Sequence, residues 1–402
     1  MRYCKRCVQT DTMPGIYFSE DGVCGACLYE DEKKKIDWKA REKELRDIVQ
    51  WAKKTTKVAY DCVIGVSGGK DSTFQALYAR DKLGLRPLLV NSEPDGITQI
   101  GRRNIENLKN LGFDVVSIRP SPVVMRKVVK RSFYKYGNPA KITEYSLTAS
   151  AYIVASEFKI PLIMQGENDA FVLGVKNSDL DADGNALNMN KLITQSTPWQ
   201  EFTGDGVTEK DLFVFHYDRE KMIKDGFRGV WLQYYAKEWS GWHNIHFSLL
   251  RGLTIRAIDF NPYEIGTYAA YHQLDSDIWP MNMMLKYLKF GYGQCTDHAS
   301  NDIRQGLLTR EEAIELVKRF DGRCGEYYIN TFCNFIGIDA DEFWRVANTY
   351  RGPMWKNKGK KGWVLENPIW EQEPPEENID VSQLLRRVYP KKENYEEIKS
   401  KI

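Results

Sequence analysis

Val63-Ile64-Gly65-Val66-Ser67-Gly68-Gly69-Lys70-Asp71-Ser72 is the stretch whose reading decides the fold. Val63 to Val66 is an apolar run of strand length. Ser67, Gly68 and Gly69 then turn the chain, and Asp71-Ser72-Thr73 opens a helix through Phe74, Ala76, Leu77 and Tyr78. A strand that feeds a helix N-terminus across glycines is an anion site. The first N–H groups of the helix lack partners, and the positive end of its dipole faces the turn. Glycine lets the backbone come close to a phosphate, and Ser67 and Ser72 add hydroxyl donors. Asp71 suits a phosphate cradle only if a divalent cation stands between carboxylate and phosphate, so Mg²⁺ is expected on Asp71. The spacing is not that of a Walker loop, because the four residues before a Gly-Lys-Ser/Thr ending are missing.

Outward from this loop the chain alternates strand and helix. Strands are expected at Cys62–Val66, Pro87–Asn91, Asp114–Ile118 and Ile160–Gln165, with a fifth at Leu253–Phe260. Helices are expected over about 70–83, 98–111, 121–136 and 143–158. Such alternation predicts an α/β fold, a doubly wound and mostly parallel sheet. Ligands of these sheets sit beyond the carboxyl ends of the strands. Besides the first loop, those ends are Asn91-Ser92-Glu93 and Gln165-Gly166-Glu167-Asn168-Asp169. In the second of them Gly166 permits close approach, while Glu167 and Asn168 bring a carboxylate and an amide.

The hexapeptide Ser67–Ser72 resembles the pyrophosphate loop of the PP-loop ATP pyrophosphatases. Those enzymes hold the β,γ-phosphates of ATP there and transfer AMP to a carbonyl oxygen. The resemblance implies ATP and pyrophosphate contacts from Ser67, Gly68, Gly69, Lys70, Asp71, Ser72, Asn91 and Gly166. It also implies catalytic roles for Lys70, Asp71, Glu167 and Asn168, with Arg256 a further candidate for contact with phosphate or adenine.

Residues 1–30 carry Cys4-Lys5-Arg6-Cys7 and Cys24-Gly25-Ala26-Cys27. Two Cys-x-x-Cys knuckles across a short turn-rich segment have zinc-ribbon spacing, and four thiolates close a tetrahedral site with no open position. A segment this short has little core, so the metal supplies its folding free energy. A connector helix is expected over 31–57, and the sheet domain over 58–275. An aromatic-rich insertion at about 177–250 is read as a lid over the strand ends. Within it Asp179, Asp181 and Asp183 read as a solvated loop, and His243 and His246 as a structural pair. Residues 276–402 read as a helical region with a capping box at Thr309–Glu312. There Asp297, His298, Asn301, Asp302 and Arg304 make a polar cluster, either serving an acceptor or lying on a surface turn. Cys295, Cys324 and Cys333 read as buried thiols, and the charged tail from Glu371 as a partly ordered arm.

The 402 residues are 42% hydrophobic and 28% charged, the balance of an ordinary globular protein. Lys+Arg 57 against Asp+Glu 55 leaves +2, which predicts no general attraction to nucleic acid or membrane. With no apolar leader at Met1-Arg2-Tyr3 and no membrane-length apolar run, the expected location is the cytoplasm, where cysteines are metal ligands or free thiols.

The ribbon, the loop, Gln165–Asp169, and the late run Tyr287–Gly293 with Asp302–Gly306 and Leu308–Val317 together resemble the N-acetyl sugar amidotransferases (WbpG/PseA-like) of bacterial surface-polysaccharide pathways. That family converts an acetamido group on a sugar into an acetamidino group. The resemblance implies adenylation of the amide oxygen, followed by attack of ammonia supplied by a glutaminase subunit paired with a cyclase-like subunit. ATP, Mg²⁺ and Zn²⁺ are the implied cofactors. The alternative is a PP-loop tRNA thiolase. That chemistry needs a cysteine set inside the ATPase domain, and between residues 28 and 294 the sequence has only Cys62.

Overall fold

Alternating burial along the strands explains the layering of the computed structural model, which describes residues 1–172, 174, 184–187, 197–376 and 378–400. Five strands, β1 (Cys62–Gly65), β2 (Pro87–Ser92), β3 (Asp114–Ile118), β4 (Leu162–Gln165) and β5 (Arg228–Trp231), form one sheet in the order β3-β2-β1-β4-β5. Every neighbouring pair is parallel, with Val63 opposite Leu88 on one side and Ile163 on the other. Odd and even positions part to opposite faces. Cys62, Ile64, Leu89 and Met164 pack with Leu45, Val49, Phe74 and Leu77. Val63, Leu88, Val90 and Ile163 pack with Ala151, Tyr152 and Ala155 of the helix Lys141–Phe158. Helices therefore cover both faces, as a buried parallel sheet requires.

The fifth strand is not Leu253–Phe260. Arg228–Trp231 takes the edge beside β4, with Trp231 in register with Gln165. Thr254 is instead held by both ends of the Asn104 amide: its N–H donates to Asn104 Oδ1 at 2.8 Å, and its carbonyl accepts from Nδ2 at 3.0 Å. That contact draws the stretch along the helix Gln99–Asn110 and away from the sheet. Part of the aromatic-rich segment expected to be a lid thus supplies an edge strand and the helix Gly241–Leu249. Asp179, Asp181 and Asp183 lie outside the described residues.

The C-terminal half is helical. Trp279–Phe290, Glu326–Ile336 and Ala340–Thr349 bury Met281, Phe332 and Phe343 against Phe133 of the helix Pro122–Tyr136. The Thr309–Glu312 capping box forms as expected. The tail differs from the sequence reading, for it folds rather than trailing as an arm. Its helix Val381–Val388 turns Leu384 and Val388, one turn apart, into a cluster with Leu316, Val317 and Phe320. Leu384→Ala is therefore expected to cost about 3 kcal/mol, read as a lower denaturant midpoint at unchanged slope. Among the described residues no helix is long and apolar enough to cross a membrane.

Candidate active site

Beyond the carboxyl ends of β1 and β4 lies a cavity of about 180 Å³. Lys70 and Asp71 line it, whereas Ser67, Gly68, Gly69 and Ser72 of the same loop do not. Gly68 adopts φ +79°, and a Cβ there would stand 3.0 Å from Asn104 Cβ, so a side chain at this position would be both strained and crowded. Gly69 caps the helix Lys70–Leu77 in an extended conformation, with no side chain on the first-turn N–H groups. Ser72 Oγ returns to the Gly69 carbonyl at 3.2 Å.

Lys70 is buried and ion-paired to Asp71, and both side chains line the cavity. The helix Gly241–Leu249 braces them: Asn244 Nδ2 donates to Asp71 Oδ1 at 2.9 Å, and Ser248 Oγ donates to the Lys70 carbonyl at 2.9 Å. Burial works against the Lys70 charge. Asp71, Glu167 and Asp302 outweigh it, and the pKa of Lys70 stands above its ordinary value. A permanent cation thus sits beside a carboxylate at an uncapped helix start, a set that fits a nucleotide phosphate with a divalent cation on Asp71.

Glu167, just past β4, also lines the cavity. Gly166 lets Trp239 lie across this turn, since a Cβ would come within 3.0 Å of its indole. Asn168 is fully buried, its N–H held by Gln233 Oε1 at 3.0 Å, and it stands behind the wall rather than in it. Asn91 is buried at the end of β2, in register with Ser117, and it too is set back from the cavity. Of the expected nucleotide and catalytic residues, Lys70, Asp71 and Glu167 converge on this space. Arg256 does not join them. Its guanidinium donates to the carbonyls of His272 (2.6 Å) and Gln273 (2.8 Å), so it fixes backbone rather than phosphate.

The opposite wall is the helix Gln294–Arg304, from which Asp297, His298, Asn301 and Arg304 face Lys70 across the cavity. Residues 265–368, which include that helix, match the family model described as the C-terminal domain of WbpG-like LPS biosynthesis proteins. That segment is similar to the WbpG-like C-terminal domain. No curated protein matches the chain. The polar cluster of the sequence reading is thus a cavity wall and not a surface turn. Within it Asp302 is buried and accepts from Tyr268 Oη at 2.7 Å, and burial raises its pKa to about 7.

The WbpG-like domain also supplies His272, which the sequence did not single out. Its ring stacks on His298 with centroids 3.8 Å apart, and both rings keep some surface because the cavity reaches them. Burial holds both imidazoles below their ordinary pKa, His298 down to about 3, with Lys70 and Arg256 adding to the effect. Both are neutral at pH 7. His243 and His246 are structural, as expected. His246 Nδ1 meets the Trp242 carbonyl at 2.8 Å, and the His243 ring packs edge-on against Phe74.

The cysteine ribbon forms a third wall, through Gln9, Ala26, Glu30 and Lys33. Cys4, Cys7, Cys24 and Cys27 are buried with their sulfurs within 4.8 Å of one another. The Cys7–Cys24 and Cys4–Cys27 separations are 3.6 and 3.9 Å. A tetrahedral zinc with Zn–S near 2.3 Å has S···S edges of about 3.8 Å, so this donor set fits Zn²⁺. The N–H groups of Arg6 and Cys24 point at Cys4 Sγ (3.4 and 3.2 Å), the bonds a thiolate ligand accepts. From the WbpG-like domain, Arg310 donates to the carbonyls of Cys4 and Cys7 and pairs with Glu373. The ribbon is also tied to the loop that carries Glu167. Tyr29 stacks on Phe171 at 4.5 Å, and Gly25 and Gly174 touch so closely that neither tolerates a Cβ.

Proposed function

We propose that this protein is an ATP-dependent amidotransferase acting on an N-acetylated sugar in surface-polysaccharide biosynthesis. One observation carries the reading: the phosphate loop and the WbpG-like helix Gln294–Arg304 share a single cavity, with Lys70 and Asp71 on one side and His298 and Asn301 on the other. An amide oxygen is a poor leaving group, and adenylation makes it AMP. Lys70 and the first-turn N–H groups of the helix Lys70–Leu77 offset the charge growing on departing pyrophosphate. Asp71 would hold Mg²⁺, which would supply further charge neutralisation to the phosphates. Glu167 and Asn301 orient the acetamido group by hydrogen bonding. Ammonia then displaces AMP, and the product is an acetamidino sugar. Ammonia comes from a separate glutaminase with its cyclase-like partner, and the reaction runs in the cytoplasm. Among the described residues no cysteine lines this cavity: Cys62 is buried within β1 and Cys295 is buried on the helix Gln294–Arg304, which supports amide activation over sulfur transfer.

The test is mass spectrometry of small-molecule products after incubation with ATP, Mg²⁺, ammonium and a panel of N-acetylated amino sugars. The expected product is lighter than its sugar by the difference between O and NH, with AMP and pyrophosphate released in equal amounts. AMP release only on adding tRNA and a sulfur donor would defeat the reading in favour of a thiolase.

A further inference from the structure

We propose that the stacked His272–His298 pair is the site of the attacking nitrogen, and that His272 takes the proton this nitrogen must lose. The proposal rests on the amidine reading above.

Proton balance sets the need. As ammonia adds to the adenylated carbon, its lone pair forms the new C–N bond. The C–O bond to AMP then breaks, and its electron pair leaves with AMP. The amidinium product keeps two hydrogens on the new nitrogen, so the third must depart as a proton. An unprotonated group open to the cavity has to receive it; of the carboxylates there, Glu30 is paired with Lys33 and Glu167 is taken up with the acetamido group.

Several candidates are already engaged. Asp71 is held by Lys70 and Asn244, and Asp297 is held by Lys286 and Gln9. Lys70 is a cation. The histidine pair is different. Thr267 Oγ1 contacts His298 Nδ1 at 2.7 Å and accepts the Ala269 N–H, which fixes the ring. The ring nitrogens of His272 hydrogen-bond no other group among the described residues, and that ring lines the cavity. It is also held in place at a cost. The next residue, Gln273, takes φ +49°, a left-handed conformation that side chains other than glycine adopt under strain. Arg256 clamps the carbonyls on both sides of that turn. Strained backbone, a buried guanidinium clamp and stacking on His298 together hold one neutral imidazole in the cavity that Lys70 and Asp71 also line. Both histidines lie in the WbpG-like segment, which also supplies Asp297, Asn301 and Arg304 to the cavity.

The experiment compares two steps in the full-length, zinc-loaded protein and its His272→Gln and His298→Asn variants. One is sugar-dependent exchange of labelled pyrophosphate into ATP, and the other is amidine formation from ammonium chloride. His272→Gln is expected to lower amidine formation about 100-fold or more while exchange falls less than about threefold. Hydroxylamine, a stronger nucleophile whose adduct sheds its proton more readily, is expected to recover most of the lost turnover. His298→Asn keeps a polar group on Thr267 but loses the stack, and a defect of the same kind is expected. Exchange and amidine falling together in the variants, or neither falling, would overturn the role of the pair while leaving the amidine reading in place. Wild-type protein that exchanges pyrophosphate yet makes no amidine with either nucleophile would overturn both.

Discussion

Cys24→Ser is expected to release the metal, unfold residues 1–30 and bring amidine formation to background. The apolar cluster of the ribbon consists of Cys4, Cys7, Cys24, Cys27 and Ala26, with a few half-buried neighbours. Four of its five fully packed side chains are thus the cysteines whose geometry fits Zn²⁺. Binding of a structural zinc supplies about 10–16 kcal/mol in isolated zinc-finger peptides, more than so small a cluster provides without it. Here the loss spreads beyond the ribbon. With the ribbon go the Gln9 contact to Asp297, the Tyr29–Phe171 stack and the Gly25–Gly174 contact that set the Glu167 loop. Metal content, limited proteolysis across residues 1–30 and turnover form the set of measurements. Full turnover in a metal-free, nicked protein would remove the ribbon from the active site.

Asp71→Asn is expected to lower sugar-dependent AMP formation by about a thousandfold, on the order of 4 kcal/mol of transition-state stabilisation. The substitution preserves shape and can still meet Asn244, but it removes the charge that pairs with Lys70 and that would hold Mg²⁺ in the proposed reaction. Taking one partner from a buried ion pair costs about 3–5 kcal/mol. The true figure lies at the low end or below, because Asp71 keeps 26% of its side-chain surface and Lys70 retains Glu167 and Asp302 nearby. The variant therefore folds, and the two effects separate. Pyrophosphate release at saturating Mg²⁺ reads the first, and thermal unfolding reads the second. A loss of less than tenfold at full Mg²⁺ would mean that Asp71 carries no metal in the reaction.

How much of this was legible depended on how local the cause was. The glycine loop, the strands β1 to β4 and the Thr309–Glu312 box follow from short-range physics: apolar runs, positive-φ glycines and caps. The ribbon was legible because a tetrahedral metal demands two knuckles at a fixed spacing. The fifth strand was not. Leu253–Phe260 alternates as a strand should, yet two hydrogen bonds from Asn104, 150 residues away in sequence, hold it elsewhere. The tail helix was masked by the charged residues around it, and its inner face is marked by Leu384 and Val388, with half-buried Val381 and Leu385 beside them.

The sequence by itself determined a glycine turn that opens a helix at Ser67–Ser72 and four cysteines at metal-ligand spacing, because both are built from neighbours along the chain. Only the tertiary structure decided that they belong to one cavity. Gln9 and Glu30 of the ribbon, Lys70 and Asp71 of the loop, Glu167 after β4, and His272 and His298 of the WbpG-like domain meet through packing of four distant segments. No spacing rule along a chain encodes that meeting. It follows from the parallel sheet, which gathers the strand ends on one side, and from the contacts of Arg310, Tyr29 and Asn244 that press the other walls against them.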